Sequence, residues 1–271
     1  MNIKELAGAI RVKKSYLCVG LDTDATKIPI HLQNSPTGVL DFNKAIIDAT
    51  LDYCVAYKVN TAFYEAMGLK GWEIMAATLD YIPKSHFTIA DAKRGDIGNT
   101  SAQYAKTFFE TLDFDSITVA PYMGRDSVQP FLDYADKTTI VLGLTSNQGA
   151  MDFEQEELKN GGRLYQTVLR KVAEWGSPDH LMFVVGATQA SALRQIREIV
   201  PEHFLLVPGV GAQGGSLEEV SAAGFNNKCG LLINVSRGVI YAASGKDFAE
   251  QAGKAARKYQ LAMAPFVEQM V

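Results

Sequence analysis

The residues best equipped for chemistry in this chain stand in the run Ile89-Ala90-Asp91-Ala92-Lys93-Arg94-Gly95-Asp96-Ile97, where an apolar stretch ends in two acids and two bases. His86 to Ala90 reads as a strand, and a buried strand needs no alternating charge at its exit unless something binds there. Asp91 and Lys93 are two apart, so an extended backbone projects both from one face. Gly95 can turn the chain, so Asp96 need not look into the pocket that Asp91 and Lys93 line. A lone D-x-K-x-x-D is also what a strand-end ion pair looks like, and the weight therefore falls on what gathers beside it.

A second constellation is Pro208-Gly209-Val210-Gly211-Ala212-Gln213-Gly214-Gly215, followed by Asn234-Val235-Ser236-Arg237-Gly238. Glycines let backbone N–H groups approach an anion, and Arg237 offers a planar, permanently charged fork for phosphate. Either feature alone has a structural alternative; together, after the last two strands of a barrel, they mark its recurrent phosphate site. Lys58 closes another apolar run, between runs that end at Asp22 and Asp91. On its own it reads as a surface lysine, but the alternating charges Asp22, Lys58, Asp91 and Lys93 would converge if those run ends share one face. A buried charge network is a poor stabiliser unless fully paired, which favours a functional role.

The elements that must position these residues repeat along the chain. Apolar runs span 16–21, 53–57, 86–90, 116–120, 139–144, 181–185, 204–207 and 231–235, and their unbroken hydrophobicity suits strands covered on both faces. Between them, apolar residues recur at helical spacing, as in Phe42, Ile46, Ile47 and Ala49 or Leu164, Val168, Leu169 and Val172. Eight such repeats in 271 residues predict an α/β fold, one (β/α)8 TIM barrel filling residues 1–271, with a short N-terminal helix opened by Lys4, Glu5 and Leu6. An open doubly wound sheet is the rival, weakened because no G-x-G-x-x-G follows the first run. In a barrel, Asp22, Lys58, Asp91, Lys93, Ser146 and Arg237 all fall at the functional end. His86, His180 and His203 sit at strand starts on the opposite face, and with His31 in a polar loop they lack the spacing of a metal site. The stretch from Ser146 to Asn160 is a candidate active-site loop.

Composition narrows the function. A net charge of −4 gives no basic footprint for nucleic acid, so any anion must be held locally. Cys18, Cys54 and Cys229 are scattered without C-x-x-C spacing and read as reduced core residues. The longest apolar piece of the first residues, Leu6 to Ile10, is too short for a signal segment or a membrane span, which predicts a cytoplasmic protein.

At this point the motifs carry a resemblance. Asp91-Ala92-Lys93-Arg94-Gly95-Asp96-Ile97-Gly98-Asn99-Thr100, with Lys58-Val59-Asn60, Ala120-Pro121-Tyr122-Met123-Gly124 and Pro208 to Gly214, resembles the orotidine 5'-phosphate decarboxylase family, most closely its longer bacterial subgroup. The resemblance covers nearly the whole chain. It implies conversion of orotidine 5'-monophosphate to uridine 5'-monophosphate and CO2 in de novo pyrimidine biosynthesis, by a homodimer that needs no metal and no organic cofactor. Carried over residue by residue, it implies that Lys93 stabilises and protonates the C6 carbanion and that Asp91 lies beside the substrate carboxylate. Lys58 and Asp22 would contact ribose hydroxyls, with Asp96 and Thr100 contributed across the dimer interface. Ser146 would touch the pyrimidine, Thr145 being its neighbour and rival. Gln213 and Arg237 would grip phosphate, with Pro208 and Gly238 in the same two loops.

The alternatives are a related sugar-phosphate decarboxylase or synthase, a Schiff-base aldolase and a non-catalytic nucleotide-phosphate binder. Magnesium-dependent enediolate chemistry would favour an acid where Lys58 stands. An ammonium flanked by carboxylates makes a poor carbonyl nucleophile.

Overall fold

The computed structural model describes residues 1–159, 161–187, 190–211 and 214–270. Helix α1 (Ile3–Lys13) is started by a capping box, in which the Asn2 side chain accepts from the Glu5 N–H at 3.0 Å and the Glu5 carboxylate accepts from the Asn2 N–H at 2.8 Å. Its face of Ile3, Leu6 and Ile10 is buried. The Lys13 ammonium donates to the carbonyls of Leu51 and Cys54 at 2.7 and 2.9 Å, which ties the helix to the start of the second strand.

Eight parallel strands follow: β1 (Leu17–Gly20), β2 (Ala56–Asn60), β3 (Phe87–Arg94), β4 (Ser116–Val119), β5 (Thr138–Leu144), β6 (Leu181–Val185), β7 (Phe204–Pro208) and β8 (Leu231–Val235). They pair in chain order and close, β8 returning to β1 through Leu17–Ile233, Cys18–Asn234 and Val19–Val235. Closure excludes the open doubly wound sheet and establishes the expected (β/α)8 barrel with its N-terminal helix.

The outer layer is α2 (Ile30–Gln33), α3 (Gly38–Thr50), α4 (Thr61–Glu65), α5 (Leu69–Tyr81), α6 (Gly98–Lys106), α7 (Arg125–Leu132), α8 (Leu164–Ala173), α9 (Ala190–Ile199), α10 (Leu217–Gly224), α11 (Arg237–Ile240) and α12 (Phe248–Val267). Phe42, Ile46 and Ile47 of α3 are buried, as their spacing predicts, and Phe42 stacks on Phe248 of α12 at 5.1 Å between ring centroids.

Three local expectations need correction. The second strand begins at Ala56 rather than Tyr53, because the Tyr53 and Cys54 N–H groups still bond to the Thr50 carbonyl beyond α3; Lys58 is therefore mid-strand and Asn60 ends it. The third strand does not stop at Ala90 but runs to Arg94, so Asp91, paired with Asn60, and Lys93 lie within the strand and not beyond it. His31 lies in the short α2 rather than a loop, its ring 6.3 Å from that of Phe248.

Candidate active site

Strand β3 places the first charges through an irregularity that sequence spacing does not show. Its register against β4 shifts between Ala90 and Arg94, and Lys93 sits in the left-handed region with φ 47°. The backbone is therefore not uniformly extended there. A bulge, rather than simple alternation, aims the Lys93 side chain. The same site corrects the expected role of Gly95: the left-handed residues are Lys93 and Gly98.

Thr118 of β4 staples this bulge. Its hydroxyl oxygen accepts from the Lys93 N–H at 2.9 Å, and its proton goes to Asp91 Oδ1 at 3.0 Å. In the sequence Thr118 is marked only as a polar side chain within the apolar run of β4, too weak a signal to single it out. Replacing Thr118 by Val keeps the shape and removes both bonds. The expected result is a fall in kcat of about 10-fold, about one charge-assisted hydrogen bond, with KM nearly unchanged. Steady-state kinetics check it, and a change confined to KM would contradict a positioning role.

Around Asp91 the charges form a continuous chain. Lys58 Nζ lies 3.3 Å from Asp22 Oδ1 and 2.8 Å from Asp91 Oδ2, and Lys93 Nζ donates to Asp91 Oδ1 at 2.5 Å. Lys58 is 3% exposed. Burial alone would push its ammonium towards neutrality, but the charges of Asp91 and Asp22 outweigh this and hold its pKa above the ordinary lysine value. Burial likewise opposes ionisation of Asp91, and the Lys58 and Lys93 ammonium groups reverse it, holding the carboxyl well below the usual range. Asp91 is thus a fixed anion between two cations. The Lys93 side chain remains half exposed and faces the opening.

The opening is a cavity of about 330 Å³ lined by Asp22, Lys58, Asp91 and Lys93 on one side and by Pro208, Gly209 and Arg237 on another. Ser146, Thr145 and Asn147 contribute from the β5 exit. Gly186 admits Ser146: a Cβ there would lie 2.6 Å from the Ser146 Cβ. The Thr145 hydroxyl is taken up within its own loop by Asn147 and Glu154, at 2.6 and 2.9 Å. Arg237 is exposed at the cavity edge, with no counter-ion among the described residues.

Other expected site residues are elsewhere. Asp96 and Thr100 do not line this cavity; the Asp96 carboxylate accepts from the adjacent Ile97 N–H at 2.7 Å, and Thr100 is exposed on α6. Gly238 follows Arg237 in α11 without lining the cavity. Gln213 lies outside the described residues. In the glycine loop after β7, three of the described N–H groups are turned inward. The N–H groups of Gly211, Gly214 and Gly215 are spent inside it, on the carbonyls of Gly215, Gly211 and Gly209. His86, at the start of β3, faces Lys13 and the Leu51 carbonyl at the other end of the barrel. Among the described residues no three His, Cys, Asp or Glu side chains gather where they could hold a metal ion, and no helix is long and apolar enough to cross a membrane.

Fold and site together define a (β/α)8-barrel enzyme whose mouth holds an ion-paired chain of alternating aspartate and lysine, buried at Lys58 and open at Lys93. The model of the orotidine 5'-phosphate decarboxylase / HUMPS family matches residues 15–252, and the chain belongs to that family. The orotidine 5'-phosphate decarboxylase of Bacteroides fragilis is 58% identical over 267 residues, 97% of each chain. Among solved structures, the OMP decarboxylase of Leishmania donovani has a TM-score of 0.81 and 35% identity, covering 96% of this chain and 99% of its own. The UMP synthase of the same organism matches 95% of this chain over 56% of its own length, with a TM-score of 0.82 and 37% identity. With these relatives, the chain is a carboxy-lyase.

Proposed function

We propose that the chain converts orotidine 5'-monophosphate to uridine 5'-monophosphate and CO2, a step of pyrimidine biosynthesis, without metal or organic cofactor. The observation that carries this is the chain Asp22–Lys58–Asp91–Lys93 in one cavity with Arg237, which has no counter-ion among the described residues. Loss of CO2 from C6 breaks the bond to the carboxylate and leaves its electron pair on an sp2 carbon that no ring carbonyl delocalises. A cation fixed where that pair appears lowers the barrier, because it needs no reorganisation at the moment of reaction. Lys93 is that cation. It transfers a proton to C6 as CO2 departs, and the amine regains a proton from water. Asp91 lies beside the departing carboxylate and orients Lys93, while Lys58 holds Asp91 from behind.

The same reading gives Asp22 and Lys58 the ribose hydroxyls, and Arg237, Gln213, Pro208 and Gly238 the phosphate end. Ser146 takes the pyrimidine, a role supported by its place in the cavity wall at the β5 exit. Asp96 and Thr100 reach the site of a second copy of the chain in a homodimer. Residues 1–271 form one decarboxylase domain, supported by α1 and α12 packing on the same core as the strands, and the enzyme works in the cytoplasm.

Loss of orotate absorbance on incubation with the purified chain tests the reaction, and the rate is expected to be the same with and without prolonged chelation. Absent turnover, or turnover that magnesium specifically restores, would move the assignment to the sugar-phosphate branch of the family.

Phosphate does not react, so its binding energy acts through closure and orientation. Arg237→Ala is expected to cost roughly 2 to 5 kcal/mol in kcat/KM, the range for breaking a desolvated charge pair. A substrate lacking phosphate should be nearly indifferent to the change. Equal penalties on both substrates would assign Arg237 to the fold.

A further inference from the structure

Strand β8 carries a polar residue that none of these roles uses. Asn234 follows the buried Leu231, Leu232 and Ile233, is itself 6% exposed and lines the cavity. Its Oδ1 is buried with no hydrogen-bond partner among the described residues, and its Nδ2 makes only a long contact of 3.4 Å to Ser236 Oγ. A buried amide oxygen left unsatisfied costs about 1 to 3 kcal/mol, whereas a leucine here would extend the apolar strand at no such penalty. The fold alone gives no reason for an asparagine. A donor arriving from outside does.

The neighbours indicate which donor. Asn234 pairs with Cys18 on β1, the strand that leads to Asp22, and with Pro208 on β7, and its own strand leads through Ser236 to Arg237. Gly20 keeps the space open on β1. A Cβ there would lie 1.9 Å from Ser236 Oγ and 3.1 Å from Asn234 Oδ1. Gly20 in turn pairs with Lys58, whose ammonium is committed to Asp22 and Asp91. The polar pair Asn234–Ser236 therefore borders the stretch between the charge chain and Arg237. A nucleotide spanning the two presents its sugar there, and sugar hydroxyls are neutral donors of the kind that an orphan amide oxygen accepts.

We propose that Asn234, supported by Ser236 and given room by Gly20, accepts a hydrogen bond from a ribose hydroxyl of the substrate and so helps to select ribonucleotides; the inference rests on the nucleotide reading above. Asn234→Leu replaces the amide by an apolar group of similar size. It is expected to weaken binding of uridine 5'-monophosphate about 10- to 100-fold, and to weaken by no more than about twofold the one deoxy form, 2' or 3', that lacks the donating hydroxyl. Calorimetric Kd values for the three nucleotides read this out directly. Asn234→Ala removes the same oxygen by truncation instead of apolar replacement and carries the same expectation, so a folding defect in the leucine variant leaves the test standing. Equal weakening of all three nucleotides, or no weakening of any, overturns the assignment, the second outcome meaning that water alone satisfies Asn234. Turnover by the unaltered enzyme is measured in parallel. Its absence with the ribose selectivity intact overturns the decarboxylase reading alone, whereas turnover with equal penalties overturns the Asn234 assignment alone.

Discussion

Lys93→Ala is expected to abolish turnover while leaving the barrel folded. Two contributions disappear together: the cation that meets the developing charge at C6 and the proton that quenches it. Removing a single neutral transition-state donor costs about 10²- to 10³-fold, and a general acid contributes about 10²- to 10⁴-fold, so the joint loss in kcat should be on the order of 10⁴-fold or more. Stability should change by less than about 1 kcal/mol, because the Lys93 side chain is half exposed and Asp91 keeps its bond to Lys58. Lys58→Ala should cost stability as well as activity. It leaves a buried carboxylate short of its partner, and the expected destabilisation is about 3 to 5 kcal/mol. Denaturant melts and kcat for the two variants, measured side by side, separate the roles. Retention of more than about a tenth of wild-type kcat by Lys93→Ala would remove lysine from the chemical step.

Mixing two inactive variants is expected to recover activity. Asp96 leaves the mouth of its own barrel, its carboxylate turned to Ile97. Beside it the exits of β3 and β4 carry Ile97, Tyr122 and Met123, exposed at 61%, 87% and 47%. An uncovered apolar surface of this kind suits a two-fold contact, in which each chain lends Asp96 and Thr100 to its partner. Lys93→Ala and Asp96→Ala homodimers should each be nearly inactive. In a mixed dimer one site carries both lesions and the other carries neither. Random pairing makes half the dimers mixed, which gives roughly a quarter of wild-type activity per site. If subunit exchange is demonstrated and no activity returns, the site is not shared and Asp96 has a role within its own chain.

The amino-acid sequence by itself determined the class of the fold and the end of it that matters. Unbroken apolar runs alternating with helical spacing require a parallel sheet covered on both faces, and the polar residues at the run ends mark where a ligand meets it. Asp22, Lys58, Asp91, Lys93, Ser146 and Arg237 were named on that ground and line one cavity. The family too was legible, because D-x-K-x-x-D and the glycine loop are local motifs. Tertiary structure alone decided the rest. Closure depends on β8 finding β1, a pairing between residues more than two hundred positions apart that no local periodicity encodes. The left-handed Lys93 depends on the register of β3 against β4 and on Thr118, whose hydroxyl has meaning only once Asp91 faces it. Asn234 reads in sequence as one polar residue near a strand end. Its unsatisfied oxygen exists only because neighbouring strands bury it beside Gly20. Spacing along the chain fixes which side chains share a face, but which of them meet, and which are left without a partner, is set by strands that come together from far apart in sequence.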